Sequence, residues 1–189
     1  MNPFEVAGVA SGLLGVWLMT RQKIWAWPVL LFSSLVFIVV FFRARLYAAM
    51  SLQVVYIGLA SYGWHQWLHG GGGHGRLRVS RVPRRVALAL AGAGAALTAA
   101  LGTWLDLRTD QALPYADAFT TSFSLAAQFM QARKYLENWA VWLAVDFVYI
   151  GMLRSQDLDL TSLLYLVYLV LAILGLRDWR RSMAAPTLP

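Results

Sequence analysis

The chain contains an internal repeat. When residues 1–77 are shifted forward by 112 positions, identical residues coincide in one register without a gap. Isolated Leu and Val matches would mean little in so apolar a chain, but these identities include tryptophan, tyrosine, glycine and arginine. The sequence therefore predicts a duplicated structural unit. The coinciding pairs are Arg21/Arg133, Trp27/Trp139, Val29/Val141, Ile38/Ile150, Val55/Val167, Tyr56/Tyr168, Gly63/Gly175 and Trp67/Trp179.

The composition is that of a membrane protein. The chain is 59% hydrophobic and only 13% charged, whereas a soluble domain has about 25% charged residues. The apolar residues form long runs, and crossing a bilayer takes about 20 of them in a helix. Helices are expected because open strands in lipid leave backbone groups unpaired. We predict seven transmembrane helices, at residues 4–20, 24–43, 46–68, 82–104, 114–131, 136–153 and 159–177.

The basic residues predict the orientation of these helices. With the N-terminus outside, the outer side receives only Arg43, Arg45, Arg108 and Arg154, and all other basic loop residues fall inside. Basic residues favour the cytoplasmic side, so the N-terminus is expected outside and the C-terminus inside. The net charge of +7 then reflects topology and attraction to anionic lipids. Because the basic residues are split among short loops, nucleic-acid binding is not expected.

The repeat and the helix count together predict an all-α membrane protein with a 3+1+3 arrangement. One intervening helix makes both triplets start on the same side, so they are parallel repeats related by an axis along the membrane normal, as in SWEET-type sugar carriers. The predicted units are a first repeat at 1–68, a cytoplasmic loop with linker helix 4 at 69–110, a second repeat at 111–181 and a tail at 182–189. The glycine-rich tract at 70–75 is expected to be a flexible connection.

Helix 6 carries an unusual polar face. Trp139, Trp142 and Asp146 follow i, i+3, i+7 spacing, and Asn138, Trp142 and Asp146 follow i, i+4, i+8 spacing, so they share neighbouring stripes of one helix. An Asp near a helix centre costs about 2.5–3.5 kcal/mol to insert and should face a cavity. Two indoles beside a carboxylate suit a flat organic cation. The alternative is that Asp146 pairs with a buried Gln or Tyr.

Other helices offer groups that could hydrogen-bond a sugar, or could equally bond neighbouring helices. These are Gln53 and Tyr56 on helix 3, Thr121, Ser124 and Gln128 on helix 5, and Tyr165 and Tyr168 on helix 7. Tryptophans near helix ends are expected to anchor the protein at the membrane interface: Trp27, Trp64, Trp67, Trp104 and Trp179. A metal site at His65, His69 and His74 is not expected because no acidic residue accompanies them.

Several motifs resemble a known family. Trp-Ala-Trp-Pro at 25–28, Arg-Leu-Tyr-Ala-Ala-Met-Ser-Leu-Gln at 45–53, Val-Tyr at 55–56 and Tyr-Gly-Trp-His-Gln-Trp at 62–67 occur in the first half. The second half has Gln128, Ala-Arg-Lys at 132–134, Glu-Asn-Trp-Ala-Val-Trp at 137–142 and Leu-Tyr at 164–165. With these motifs the chain resembles the nicotinamide riboside transporter (PnuC) family over nearly its whole length.

The resemblance implies a homotrimer in the bacterial inner membrane. It also implies a central site for a vitamin-type nucleoside, and facilitated diffusion with trapping by phosphorylation inside the cell. No cofactor or metal is implied. The family's helix-6 motif corresponds to Asn138, Trp139 and Trp142, while Asp146 stands where a further Asn is expected. Nicotinamide riboside and thiamine are both planar cations that Asp146 and the tryptophans could hold, so thiamine is the alternative substrate. Neutral riboflavin would gain less from the carboxylate.

Two other classes of protein compete with a carrier. A membrane-embedded lipid enzyme would need a convergent catalytic set, yet Asp106, Asp110, Asp157 and Asp159 all fall in predicted outer loops. A scaffold subunit would have no use for the polar face of helix 6, although placing an Asp in the membrane costs free energy. The sequence therefore favours a carrier over an enzyme.

Overall fold

The protein is all-helical, as the sequence predicts. The computed structural model describes residues 3–43, 45, 47–71, 77–157 and 159–184. Within these residues there are seven α-helices, each overlapping one predicted segment. They are α1 (Pro3–Thr20), α2 (Ala26–Arg43), α3 (Tyr47–His69), α4 (Arg84–Arg108), α5 (Pro114–Ala132), α6 (Asn138–Arg154) and α7 (Asp159–Ala184).

Four of these helices are long and apolar enough to cross a membrane by length and composition: α1, α2, α4 and residues Thr161–Ala184 of α7. The other three carry most of the polar positions singled out in the sequence, such as Gln53, Gln128 and Asp146, while Tyr165 and Tyr168 lie on α7. Helix α6 also has only 17 residues. Polar groups on a membrane helix are expected to face the bundle interior, so these three helices are the ones to search for a site.

The glycine tract lies mostly outside the described residues, which resume at Leu77. From there the chain runs without helix to Pro83, and Ser80 forms an isolated parallel bridge with Tyr135. Helix α4 packs against α5. Gly94 and Gly102 of α4 face the rings of Phe123 and Tyr115, so small residues allow the two helices to approach closely.

The two sequence repeats share backbone conformation at their turns. Among the described non-glycine residues, positive φ angles occur at Gln22 (53°), Arg45 (59°), Lys134 (51°) and Asp157 (57°). Gln22 corresponds to Lys134, and Arg45 corresponds to Asp157, under the 112-residue shift. Left-handed backbone is uncommon for such residues, so its recurrence at both equivalent positions indicates that each turn is a conserved geometric feature of the duplicated unit.

The helices of the two halves pack in equivalent ways. Consecutive helices contact each other, α1 with α2 and α2 with α3, then α5 with α6 and α6 with α7. Between the halves, α3 contacts α5 and α7 contacts α1. Since α5 is the counterpart of α1 and α7 the counterpart of α3, the two cross-half contacts are themselves equivalent.

A tryptophan packed on a glycine recurs in each half. Trp27 of α2 lies against Gly63 of α3, and Trp139 of α6 lies against Gly175 of α7, where a Cβ would approach the Trp139 ring to 2.5 Å. Both indoles are buried. Each also meets a second tryptophan edge-on. Trp27 and Trp67 have ring centroids 5.3 Å apart at 88°, and the equivalent Trp139 and Trp179 have centroids 5.4 Å apart at 90°.

This packing corrects one expectation from the sequence. Trp27, Trp67 and Trp179 are not interface anchors, because they are 0%, 3% and 0% exposed. Their rings form a buried cluster with Trp139 and neighbouring apolar residues. Trp64 and Trp104, by contrast, are 37% and 57% exposed. The position of a tryptophan near a helix end does not distinguish the lipid-facing side from the protein-facing side, and only packing decides it.

Replacing Gly63 by Ala is expected to destabilise the protein because the new Cβ overlaps the Trp27 ring. Overpacking of this kind costs about 1–3 kcal/mol. Thermal unfolding of the purified protein in detergent should therefore show a lower midpoint for Gly63→Ala, and an equivalent decrease for Gly175→Ala.

Gly58 provides the control on the same helix. No atom lies within 4 Å of a Cβ at this position, so Gly58→Ala should leave the midpoint unchanged or raise it slightly, given the higher helix propensity of alanine. Equal midpoints for the Gly58 and Gly63 variants would contradict the tryptophan–glycine packing.

Candidate functional site

A cavity of about 400 Å³ lies inside the bundle, within the range of small-molecule sites. Its described lining comes from six helices, α1, α2 and α3 together with α5, α6 and α7, and includes no residue of α4. Both copies of the repeated unit therefore enclose it.

Seven of the eight site residues predicted from the sequence line this cavity. The exception is Asn138, which is fully buried but is not part of the lining. Its Nδ2 donates a hydrogen bond to the carbonyl oxygen of Tyr135 at 2.6 Å, within the turn that begins α6. The lining residues are Gln53, Tyr56, Gln128, Trp139, Trp142, Asp146 and Tyr168.

Helix α6 carries the charged part of the cavity wall. Asp146 lies near the middle of this helix, and the residue is 5% exposed. It forms no ion pair with any described residue. Trp142 lies one turn before Asp146, and the next turn adds Tyr149, whose ring stacks on Tyr165 of α7 with centroids 4.3 Å apart. A carboxylate is thus held among aromatic rings, an arrangement that stabilises a planar cation.

Most of the lining consists of equivalent positions from the two repeats, yet apart from Tyr56/Tyr168 and Ala60/Ala172 the residues at these positions differ. The second repeat supplies the polar member of several pairs, so one side of the cavity is polar and the other is largely apolar. The pairs, first repeat before second, include Val16/Gln128, Met19/Gln131, Leu30/Trp142, Ser34/Asp146 and Phe37/Tyr149. A ligand with a charged or amide-bearing part is therefore expected to place that part toward α5 and α6.

Tyr149 and Gln131 also line the cavity but were not among the residues predicted from the sequence. Both continue helical spacings that were noticed, since Tyr149 is at i+3 from Asp146 and Gln131 is at i+3 from Gln128. Extending each stripe by one turn would have found them. Gly12 of α1, which also lines the cavity, has no side chain, but the 112-residue shift pairs it with Ser124 of α5, so the repeat could have pointed to it.

A tryptophan cluster lies beside one end of the cavity, at the end of the bundle that we call the basic end. This end contains the α1–α2 and α5–α6 turns, residues 77–83 and the C-terminal part of α7. The Trp67 indole N–H donates to the carbonyl oxygen of Gln131 at 3.2 Å, and the equivalent Trp179 donates to that of Met19 at 3.0 Å. Gln131 and Met19 are both cavity-lining residues, so the cluster fixes the helix ends that bound the cavity.

Lys134 ties the loop before α4 to this cluster. The residue is 7% exposed, and its Nζ lies 4.2 Å from the centroid of the Trp67 ring. The Nζ donates to the carbonyl oxygen of Leu77 at 2.9 Å. Glu137 holds the same loop, because its carboxylate accepts hydrogen bonds from the Val82 backbone and from Arg81. The basic end is therefore covered by residues 77–82.

Two arginines at equivalent positions connect the halves at the basic end. Arg21 pairs with Asp178 of α7 at 3.5 Å. Arg133 donates to the Tyr62 hydroxyl of α3 at 3.2 Å, and the hydroxyls of Tyr62 and Tyr135 raise the pKa of Arg133. Both contacts cross from the first turn of one half to the last helix of the other, so relative movement of the halves must break or rearrange them.

A bundle of apolar helices around a partly polar cavity of this size is the architecture of a small-molecule membrane transporter. Comparison with known proteins agrees with this class. The chain belongs to the nicotinamide mononucleotide transporter family, whose model matches residues 2–181. The resemblance to the PnuC family drawn from the sequence motifs is thereby confirmed.

Relatives of the chain are transporters of different substrates. It is 30% identical over 181 residues to the riboflavin/roseoflavin transporter RibM of Streptomyces davaonensis, covering 93% of this chain and 83% of that protein. It is 26% identical over 204 residues to the nicotinamide riboside transporter PnuC of Escherichia coli, covering 94% and 85%. The crystal structure of a vitamin B3 transporter PnuC has the same fold, with a TM-score of 0.73, 24% identity and coverage of 95% and 83%.

Trp67→Phe is expected to destabilise the protein. The substitution removes the indole donor to Gln131 and leaves space in the buried cluster. A lost hydrogen bond costs about 0.5–1.5 kcal/mol, and deleted buried ring atoms add to this. Thermal unfolding should show a clearly lower midpoint, whereas Trp104→Phe, at a 57% exposed position, should change it little. Equal effects would contradict a structural role for the cluster.

Proposed function

We propose that this protein is a carrier for a small vitamin nucleoside whose base is a planar, positively charged ring, with nicotinamide riboside as the first candidate. The observation that carries the proposal is the polarised cavity, in which Asp146 lies between Trp142 and Tyr149 on α6. An almost buried carboxylate without an ion-pair partner among the described residues is costly inside a membrane protein. A cationic ring would supply the missing partner.

The cavity walls suit the parts of such a ligand. The pyridinium of nicotinamide riboside would lie beside Asp146 with Trp139 and Trp142 around it, through charge pairing and cation–π contact. Gln53, Gln128, Tyr56 and Tyr168 line the same cavity, and their amides and hydroxyls would hydrogen-bond the ribose or the carboxamide. Asn138 lies outside the lining, so we propose for it an indirect role through the α5–α6 turn.

Riboflavin is the second candidate, favoured by the 30% identity to the riboflavin/roseoflavin transporter RibM. An isoalloxazine ring could stack on the same aromatic side chains, but it is neutral and gains nothing from charge pairing. Thiamine, which carries a thiazolium cation, is the third candidate substrate. The effect of Asp146 on binding affinity therefore discriminates between a cationic and a neutral substrate.

We further propose that all seven helices cross the membrane as parallel repeats in a 3+1+3 arrangement. The support is that the α1–α2 and α5–α6 turns meet at one end, where the Lys134 Nζ lies 3.5 Å from the Gln22 side-chain oxygen. Inverted repeats would put these turns on opposite sides of the membrane. The basic end would face the cytoplasm of the bacterial cell, with the N-terminus in the periplasm. The homotrimer stays a prediction drawn from the family resemblance.

Transport would proceed by rocking of one repeat against the other around the central cavity. The contacts at the basic end would break when the cavity opens to the cytoplasm.

Asp146 is the only acidic residue in the described lining, so the described cavity wall lacks the carboxylate pair that metal-dependent lipid chemistry needs. We therefore propose facilitated diffusion without catalysis, with phosphorylation of the substrate inside the cell drawing uptake onward.

Asp146→Asn tests the substrate class. Loss of a charged partner costs about 1.5–3 kcal/mol, which corresponds to about 10–100-fold weaker binding. Tryptophan-fluorescence titration of the purified protein should show this loss for nicotinamide riboside or thiamine, and a much smaller change for riboflavin. Unchanged affinity for every cation would remove the charge-pairing role, and tight binding of riboflavin alone by the unmodified protein would favour the second candidate.

Uptake into vesicles tests the uncoupled mechanism. Proteoliposomes that contain the carrier and no kinase should equilibrate nicotinamide riboside across the membrane, and the final internal concentration should equal the external one. An imposed sodium or proton gradient should leave that level unchanged, because no coupling site is proposed. Accumulation above the external concentration would contradict facilitated diffusion.

A further inference from the structure

The outward face of α7 changes abruptly from apolar to basic. Along one stripe of this helix lie Leu163, Leu166, Val170 and Ile173, which are 57%, 42%, 53% and 50% exposed. At a rise of 1.5 Å per residue, this stripe is about 15 Å long. Starting at Thr161, the helix needs about 20 residues to cross the hydrocarbon, so the stripe lies in the acyl region.

The same face continues into a shallow groove of about 500 Å³ lined by Ile173, Leu176, Arg177, Arg180, Arg181 and Ala184. All three arginines are exposed. Their positions, i, i+3 and i+4, bring the guanidinium groups to one side of the helix. By the same crossing distance, this groove lies where the membrane meets water.

No described residue balances the charge of this groove with an ion pair. Asp178 is the nearest acidic residue along the helix, and it is paired with Arg21. Three cations next to an apolar stripe are complementary to a molecule with an anionic headgroup and an acyl chain.

The duplication indicates that this groove is a specific feature. The first-repeat positions equivalent to Arg177, Arg180 and Arg181 are His65, Leu68 and His69 on α3. The basic set is therefore confined to the second repeat, although the helix packing is shared between both. We infer that the groove at the end of α7 binds an anionic membrane lipid, whose phosphate contacts the three arginines while an acyl chain lies along the stripe from Ile173 to Leu163.

The inference is independent of the transported substrate, since the groove shares no lining residue with the central cavity. Its partner is a lipid rather than a soluble anion because the arginines continue a lipid-facing apolar stripe. Guanidinium groups bind phosphate oxygens in bidentate fashion, and basic residues at the membrane surface favour anionic lipids.

Native mass spectrometry of the detergent-purified protein can test this inference. Phosphatidylglycerol and phosphatidylcholine with identical acyl chains are added at equal concentrations. The unmodified protein should retain phosphatidylglycerol at least tenfold more than phosphatidylcholine. In the variant R177Q/R180Q/R181Q this preference should fall to about twofold or less.

The matched control removes three arginines from the same end of the protein, at exposed positions in the loop before α4 and in its first turn. The variant R78Q/R84Q/R85Q loses the same charge and should keep most of the preference for phosphatidylglycerol. An equal loss in both variants would mean that net charge alone attracts the lipid, and would overturn the proposed site. Retention of the full preference by R177Q/R180Q/R181Q would also overturn it.

Two further measurements distinguish other occupants. Excess inorganic phosphate should not displace the lipid, and complete displacement would mean that the groove binds a soluble anion instead. The oligomeric state of R177Q/R180Q/R181Q should equal that of the unmodified protein, and a change would mean that a second copy covers the groove. If the triple variant does not fold, Arg181→Gln should still reduce the rise in melting temperature that phosphatidylglycerol produces; an undiminished rise would overturn the inference.

Discussion

The structure depends on an indole ring packed against a glycine, formed once in each half of the chain. Trp27 lies on Gly63 and Trp139 lies on Gly175, so that α2 is held against α3 and α6 against α7. Lipid offers no hydrophobic driving force between helices, and close van der Waals packing over small residues replaces it. Trp67 and Trp179 pack edge-on against these two indoles and donate hydrogen bonds to the carbonyl oxygens of Gln131 and Met19 in the opposite half. The tryptophan cluster that packs each half therefore also joins the two halves beside the cavity.

The cavity is enclosed by equivalent positions of the two repeats but has different chemistry on its two sides. Equivalent backbone positions surround it, but the first repeat contributes Val16, Leu30 and Phe37 where the second contributes Gln128, Trp142 and Tyr149. The helix packing is similar in the two halves, whereas most of the charged and amide side chains of the lining lie on α5 and α6. An asymmetric ligand, with a charged ring at one end and less polar surface elsewhere, is better complemented by such a cavity than by one with two identical walls.

Sequence signals predict some features of this protein well and others poorly, depending on the physical property that each signal reflects. Seven apolar segments predicted seven helices because a membrane helix satisfies its own backbone and needs only length and hydrophobicity. The polar face of α6 could be predicted equally well, since the 3.6-residue period of a helix puts Trp142 and Asp146 on one side. The end tryptophans were misassigned because amphipathic rings suit both the membrane interface and a buried cluster. Asn138 was grouped with Trp142 and Asp146 by helical spacing and by the family motif, whereas its side chain bonds the Tyr135 carbonyl oxygen outside the cavity lining.

The class of the protein is encoded along the chain, in apolar segments of membrane length, a repeat at a constant shift, a carboxylate on an aromatic helix face and a set of family motifs. These are local or periodic properties. Which side chains meet across helices becomes apparent only in the packed bundle, because contacts such as Trp67 with Gln131 and Lys134 with Leu77 join residues that are far apart in the chain. The enclosure of the cavity by six helices and the burial of three end tryptophans depend on the relative rotation of helices, which packing fixes and hydropathy does not.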